Sequence, residues 1–283
     1  VATARDAGVP AKRLRAADIA APFHGVRSSA EAATDVVGRC REYFPRLRPG
    51  QVFSHGTAAM IYGLRLPRRI EEERNLHVAV RHPARPPRTS GILGHEISHG
   101  MSHGQTWSGL PVIDPITAWM QLAPLLTLDE LIVCGDSLVR RKIPPATLDD
   151  VLERVDRASG FRGIRNLTQA VPQIRARTDS RPETLLRLLI VRAGLPEPLV
   201  GYTVRDSNGD FVGTPDLAYP KERVGLEYLG DGHRTDRATF VDDISRTERF
   251  EQFGWRVVKV VSDDIFIRPP ILIRRILAAR EGR

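Results

Sequence analysis

Cysteine is scarce: Cys40 and Cys134 are the only two in 283 residues. Two thiols so far apart build no disulfide framework and no cysteine-based zinc site, and they fit a reducing, cytoplasmic setting. Long apolar runs are lacking too. None reaches the roughly 18 residues that a membrane helix needs, and no secretory signal pattern is legible, so no membrane partner is expected. Lysine occurs only at positions 12, 142, 221 and 259, although Lys and Arg together number 42. Arginine therefore carries the net charge of +8. An arginine-borne positive balance points to a polyanionic partner, nucleic acid first. The same richness in Arg and Ala also arises from a GC-rich coding sequence. Apolar residues make up 41% of the chain, which is enough for one large core or two ordinary ones. Oligomeric state is left open.

The N-terminal region, residues 1–179, reads as α+β. ARDAG and AKRLRAADI are two short helical pieces around Gly8-Val9-Pro10, and APFHGVR follows as a wing strand. This is the outline of a clipped winged helix, although any helical hairpin reads alike. Residues 29–64 read as helical, ending in SHGTAAMIYGL. From LHVAVR the period becomes two, and ILGHEIS and LPVIDP complete a small antiparallel sheet beyond the break HPARPPRTSG. DPITAWMQLAPLL and TLDELIVCGDSLVR return to helical spacing, with Asp114 and Thr127 as N-caps. No internal repeat is evident.

Residues 94–104, GHEISHGMSHG, contain His95-Glu96-Ile97-Ser98-His99, a literal HExxH, with His103 beyond it. That motif makes a zinc protease only on a helix, where both histidines share one face. Gly91, Gly94, Gly100 and Gly104 flank it, and Ile92, Leu93 and Ile97 favour a strand. On a strand His95 and His99 point one way and Glu96 the other. At most they form an adventitious metal pair, and a surface strand is the expected reading.

Residues 180–283 read as a separate α/β domain. Ser180 and Glu183 form a capping box opening the run TLLRLLIVRAG, which Gly194 closes. GDFVGTPDLAYP reads as a strand carrying Pro215-Asp216, and Pro220 to Arg223 turn the chain into a second strand, Val224 to Leu229. There Glu227 shares a face with Gly225 and Leu229, opposite Val224, Leu226 and Tyr228. An acid in the middle of an apolar strand is costly without a partner or a metal. Glu183, Asp216 and Glu227 are thus candidate oxygen ligands for Mg²⁺ or Mn²⁺, which would activate water against a phosphodiester. His233 is a candidate proton-transfer group. A helix from about Arg237 to Phe253 pairs Asp242 with Arg246 at i, i+4 and offers Arg246 and Arg249 to phosphates. GWRVVKVV is a buried strand, and PILIRRILAAR a terminal basic helix.

The pattern Sxx-E, PD, ExLGDGH, D-x3-R and GWRVVKV, over about residues 180–280, resembles the very short patch repair (Vsr)-like endonuclease domain. That domain is a branch of the PD-(D/E)xK restriction-endonuclease-like fold. The N-terminal half, through TAAMIYGL and DPITAWMQLA, resembles AbiE-type antitoxin-like proteins. The first resemblance implies a mixed sheet flanked by helices. It assigns metal binding to Asp216, Glu227 and Glu183, and general acid–base work to His233. The (D/E)xK lysine is missing, since Glu227-Tyr228-Leu229 ends in Leu; Vsr-like members lack it as well. The expectation is a Mg²⁺- or Mn²⁺-dependent DNA endonuclease. The alternative, implied by the second resemblance, is a non-catalytic DNA-binding regulator on a degenerate nuclease fold, with a cognate toxin as a further partner.

Overall fold

The computed structural model describes residues 1–28, 33–97, 104–230 and 246–282. The chain is mixed α/β and divides into two compact units. The first holds Val1–Leu138 and Pro145–Pro172, the second Val139–Pro144 and Gln173–Arg283. No helix among the described residues is long and apolar enough to cross a membrane.

The described residues of the first unit are built on a five-stranded sheet in the order β3-β2-β1-β5-β4. The strands are β1 (Gln51–Phe53), β2 (Leu76–Arg81), β3 (Ile92–Ile97), β4 (Gly104–Trp107) and β5 (Leu110–Ile113). The expected antiparallel sheet is corrected to a mixed one. β2 runs parallel to β3 and β1 parallel to β5, while β1–β2 and β4–β5 are antiparallel. The long Pro-rich connection after β2 carries the chain back to the start of the sheet, so β3 enters in the same direction. The reading of residues 29–64 as helical is also corrected. Val36–Tyr43 and His55–Ile61 are helices, but Gln51-Val52-Phe53 between them is the central strand. The expected second helix near residue 12 is only a 3₁₀ turn, Arg13–Arg15, and the wing is a single bridge between Ala20 and Ser28. One turn is too short to lie along a major groove as a recognition helix.

The helix Pro115–Leu122 is buried at every position, as its apolar circumference demands. Asp114 caps it by accepting the Thr117 N–H at 3.0 Å, and Trp119 donates Nε1–H to the Leu131 carbonyl at 3.0 Å. Gly94 in β3 lies directly under the Pro87 carbonyl and the Pro86 ring, where a Cβ has no room. Gly94→Ala is expected to lower the stability of this unit by about 1–3 kcal/mol, because backbone rather than a flexible side chain blocks it. A thermal or urea melt checks this.

Among its described residues the second unit has a four-stranded sheet, β11-β10-β9-β6, and a two-stranded ribbon, β7-β8. Its strands are β6 (Leu199–Val200), β7 (Val204–Arg205), β8 (Phe211–Gly213), β9 (Leu217–Tyr219), β10 (Val224–Tyr228) and β11 (Arg256–Val260). GDFVGTPDLAYP is therefore two strands rather than one. Pro215 donates no backbone hydrogen bond, and the chain leaves the ribbon at Thr214 to re-enter the main sheet at Leu217. β9 and β10 form the antiparallel hairpin, and β11 adds parallel to β10. One core packs Leu186 and Ile190 of the helix Arg181–Arg192, and Leu272 and Ile276 of the helix Pro269–Arg280, against Leu217, Val224, Leu226, Val258 and Val260. A second joins Val204 and Val212 of the ribbon to Ala218, Phe250 and Trp255.

Candidate functional site

Alternation in β10 sends Val224 and Leu226 into the first core of the second unit and leaves Gly225 and Glu227 on the opposite face. Gly225 makes room for Pro215, whose Cβ would stand 3.2 Å from a Cβ at that position. The close approach lays the Pro215-Asp216 corner across the hairpin. Asp216 is then fixed by accepting the Tyr228 backbone N–H on Oδ2 at 2.8 Å. Glu183 enters from the first turn of the helix Arg181–Arg192. Ser180 Oγ accepts its N–H at 3.3 Å, and its Oε2 accepts the Asp179 N–H at 2.8 Å. The capping box is thus present in a shifted form, closed on Asp179 instead of Ser180.

Glu183 and Glu227 are both buried, and Asp216 is partly so. Burial, then the neighbouring Asp216 charge, pushes the Glu183 carboxyl up to about 7. Burial, with Glu227 close by, pushes Asp216 up to about 6, although its hydrogen bond from Tyr228 pulls the other way. The structure therefore sets Asp216 close enough to feel Glu227, and Glu183 close enough to feel Asp216, although the oxygens of the three acids do not all lie within 4.8 Å of one another.

Glu183 and Asp216 line a pocket of about 340 Å³ together with Arg141, Arg177, Arg246 and Arg249. Arg141 ion-pairs with Asp179 at its edge, and Arg249 is exposed beside it. Sequence reasoning missed Arg141, which lies far from any motif and reaches the pocket only through the tertiary fold, and Arg177, three residues before Ser180. Arg246 does not stand free as a phosphate ligand. Its Nε lies 2.9 Å from Glu227 Oε1, and its guanidinium donates to the Thr214 carbonyl at 2.6 Å. A half-buried guanidinium beside a buried carboxylate is held as its partner. His233 and Asp242 lie outside the described residues.

Phe250 is fully buried four residues after Arg246. A Cβ on Gly213 would sit 2.6 Å from its ring. Gly213→Ala is expected to displace that ring, cost about 1–3 kcal/mol, and shift the helical residues 246–252 that carry Arg246 and Arg249. Melting of the variant checks the cost, and hydrogen exchange along residues 246–252 checks the shift.

The first unit holds a different cluster. His95 lies on β3 as expected, and Glu96 points away from it to His82 Nδ1 at 2.8 Å. His99 and His103 are outside the described residues. His95 meets His77 of β2 and His55, the first residue of the helix His55–Ile61. Among the described residues, these three form the one group of His, Cys, Asp or Glu whose ligand atoms all lie within 4.8 Å of one another. Its sequence signal is slight: His77 and His95 occupy strand positions of one parity in a parallel pair, while His55 arrives from a separate element.

Two uncharacterized proteins of Mycobacterium tuberculosis, from strains CDC 1551/Oshkosh and ATCC 25618/H37Rv, are similar to this chain along most of its length. Each is 24% identical over 263 residues, covering 90% of this chain and 89% of its own. No family model matches the chain, and no solved structure matches it at a significant level.

Proposed function

We propose that the second unit is a restriction-endonuclease-like domain that hydrolyses DNA phosphodiester bonds with a divalent cation. The observation that carries this reading is a pair of buried acids, Glu183 and Asp216, on an arginine-rimmed pocket, with Glu227 near enough to Asp216 to act on its charge. Crowded carboxylates are unfavourable when all are ionised, and a hard cation relieves them. Asp216, Glu227 and Glu183 would hold Mg²⁺ or Mn²⁺, which when bound polarises a phosphodiester and acidifies water. Arg249 and Arg177, which line the pocket, would receive the anionic backbone in this reading. Arg246 sets a positive charge against Glu227 in a chain whose position 229 carries Leu instead of Lys. His233 is the proton-transfer group in this reading.

The test is conversion of supercoiled plasmid to nicked or linear product in Mg²⁺ or Mn²⁺, against a chelator control, for the wild type and Glu227→Gln. Activity that needs the cation and is lost in the variant supports the reading. One observation favours the second reading, a DNA-binding regulator on a non-cutting scaffold: the Arg246 guanidinium already neutralises Glu227. That reading predicts salt-sensitive duplex binding indifferent to Asp216 and Glu227.

A further inference from the structure

We propose that His55, His77 and His95 of the first unit form a binding site for a divalent transition-metal ion, with Zn²⁺ as the expected occupant. The three rings come from three elements. His77 Nδ1 and His95 Nε2 are 2.9 Å apart, and the His55 ring stacks on His95 with centroids 3.7 Å apart. Tetrahedral zinc with Zn–N bonds of about 2.0–2.1 Å separates its nitrogen ligands by about 3.3 Å. Ligand atoms already within 4.8 Å of one another reach that spacing through ring shifts of about 1 Å.

His55 is held for the purpose in a costly way. Its φ is +48°, in the left-handed region that side chains other than Gly rarely adopt. Its backbone N–H is anchored on Gln121 Oε1 at 2.9 Å, and its Nδ1 lies 3.0 Å from Ser54 Oγ. A hydrogen bond to one ring nitrogen fixes the orientation in which the other is offered.

The donor set selects the metal class. Three imidazoles without a carboxylate suit Zn²⁺, Cu²⁺, Ni²⁺ or Co²⁺ and reject Mg²⁺ and Ca²⁺. His55 and His95 also border a cavity of about 700 Å³ that Thr117 and Gln121 help to line. With two of the three ligand residues bordering open space, a coordination position is left for water or a small anion, the pattern of catalytic rather than structural zinc. This site owes nothing to a protease HExxH: it uses His95 alone of that motif, and its inference does not depend on the nuclease reading.

The experiment takes the full chain stripped with a chelator, reloads it with Zn²⁺, and measures retained zinc by elemental analysis after desalting. Affinity is measured by competition with a chromogenic chelator. One zinc per chain is expected, with affinity at least about tenfold weaker in His77→Ala, His95→Ala and His55→Asn. The His99→Ala/His103→Ala double variant is expected to match the wild type. Zinc-free circular dichroism confirms that each variant is folded. Co²⁺ loading of the wild type, which needs no variant, should give the intense visible bands of a tetrahedral site. Failure to retain zinc, equal affinity in folded variants, loss through His99 and His103 instead, or absence of the cobalt bands would overturn the proposal.

Discussion

Replacing Asp216 with asparagine is expected to lower divalent-dependent cleavage at least about a hundredfold and, in the absence of metal, to stabilise the second unit above pH 6. Asp216 and Glu183 both hold protons more tightly in the folded chain than an ordinary carboxyl does. Folding therefore favours their protonated forms. Their contribution to stability is fully present below the unfolded value near 3.8 for Asp216, and it is lost as the pH rises through about 6. Glu183 behaves alike, with the loss extending to about pH 7. Asparagine carries no charge to bury, keeps an oxygen to accept the Tyr228 N–H, and relieves Glu183. The variant should gain on the order of 1–3 kcal/mol at pH 8 and nothing near pH 4. Melts across that range check the sign. Excess Mg²⁺ or Mn²⁺ should narrow the gap by stabilising the wild type alone. A variant less stable than the wild type at pH 8 would contradict the crowding of these acids. Gain of stability on loss of activity is the expected exchange at a site whose charges oppose folding.

The second large effect is on the fold that holds the site. Arg187 is 1% exposed, on the helix that carries Glu183. Its guanidinium donates to Glu197 Oε1 at 3.1 Å and to the Gln173 carbonyl at 2.7 Å. Arg175 holds the other Glu197 oxygen at 2.8 Å. Arg187→Ala is expected to cost about 3–5 kcal/mol, since it opens a large void and leaves partly buried acceptors without their donor. Arg187→Met restores most of the volume but not the hydrogen bonds, so its loss should be clearly smaller. Urea denaturation of the two variants separates packing from pairing. A loss under about 1 kcal/mol for the alanine variant would show that the pair holds nothing together.

The β9–β10 hairpin, with Glu227 facing away from the core, was legible because an acid stood at alternate spacing among apolar residues, beyond a Pro-to-Arg turn. The caps at Asp114 and Ser180 were legible for an equally local reason: each is a short side chain reaching its own helix. β1 was not. Three residues between two helices are too few to show a period, and their strand identity comes from pairing with β2 and β5. Strand direction in the first unit was hidden because periodicity says which face a residue takes and nothing about its neighbour's sense. The pairing of Arg246 with Glu227 on another element was not legible, because no spacing along the chain joins them. The histidine cluster shows the same limit: HExxH drew attention to His95 and His99, whereas register joined His95 to His77 and a strained turn brought His55. Chemistry set by one strand or one helix turn could be read in order along the chain. Chemistry set by contacts between elements could not.

The most direct test of the central claim is plasmid cleavage by the wild type and by Asp216→Ala, side by side in Mn²⁺ and in chelator, with both shown to be folded. Nicking that requires the cation and disappears in the variant, while duplex binding is kept, is the predicted result. Equal behaviour of the two proteins, whether both cut or neither does, would contradict a nuclease centred on Asp216. The second reading would then stand if duplex binding persisted without any cutting.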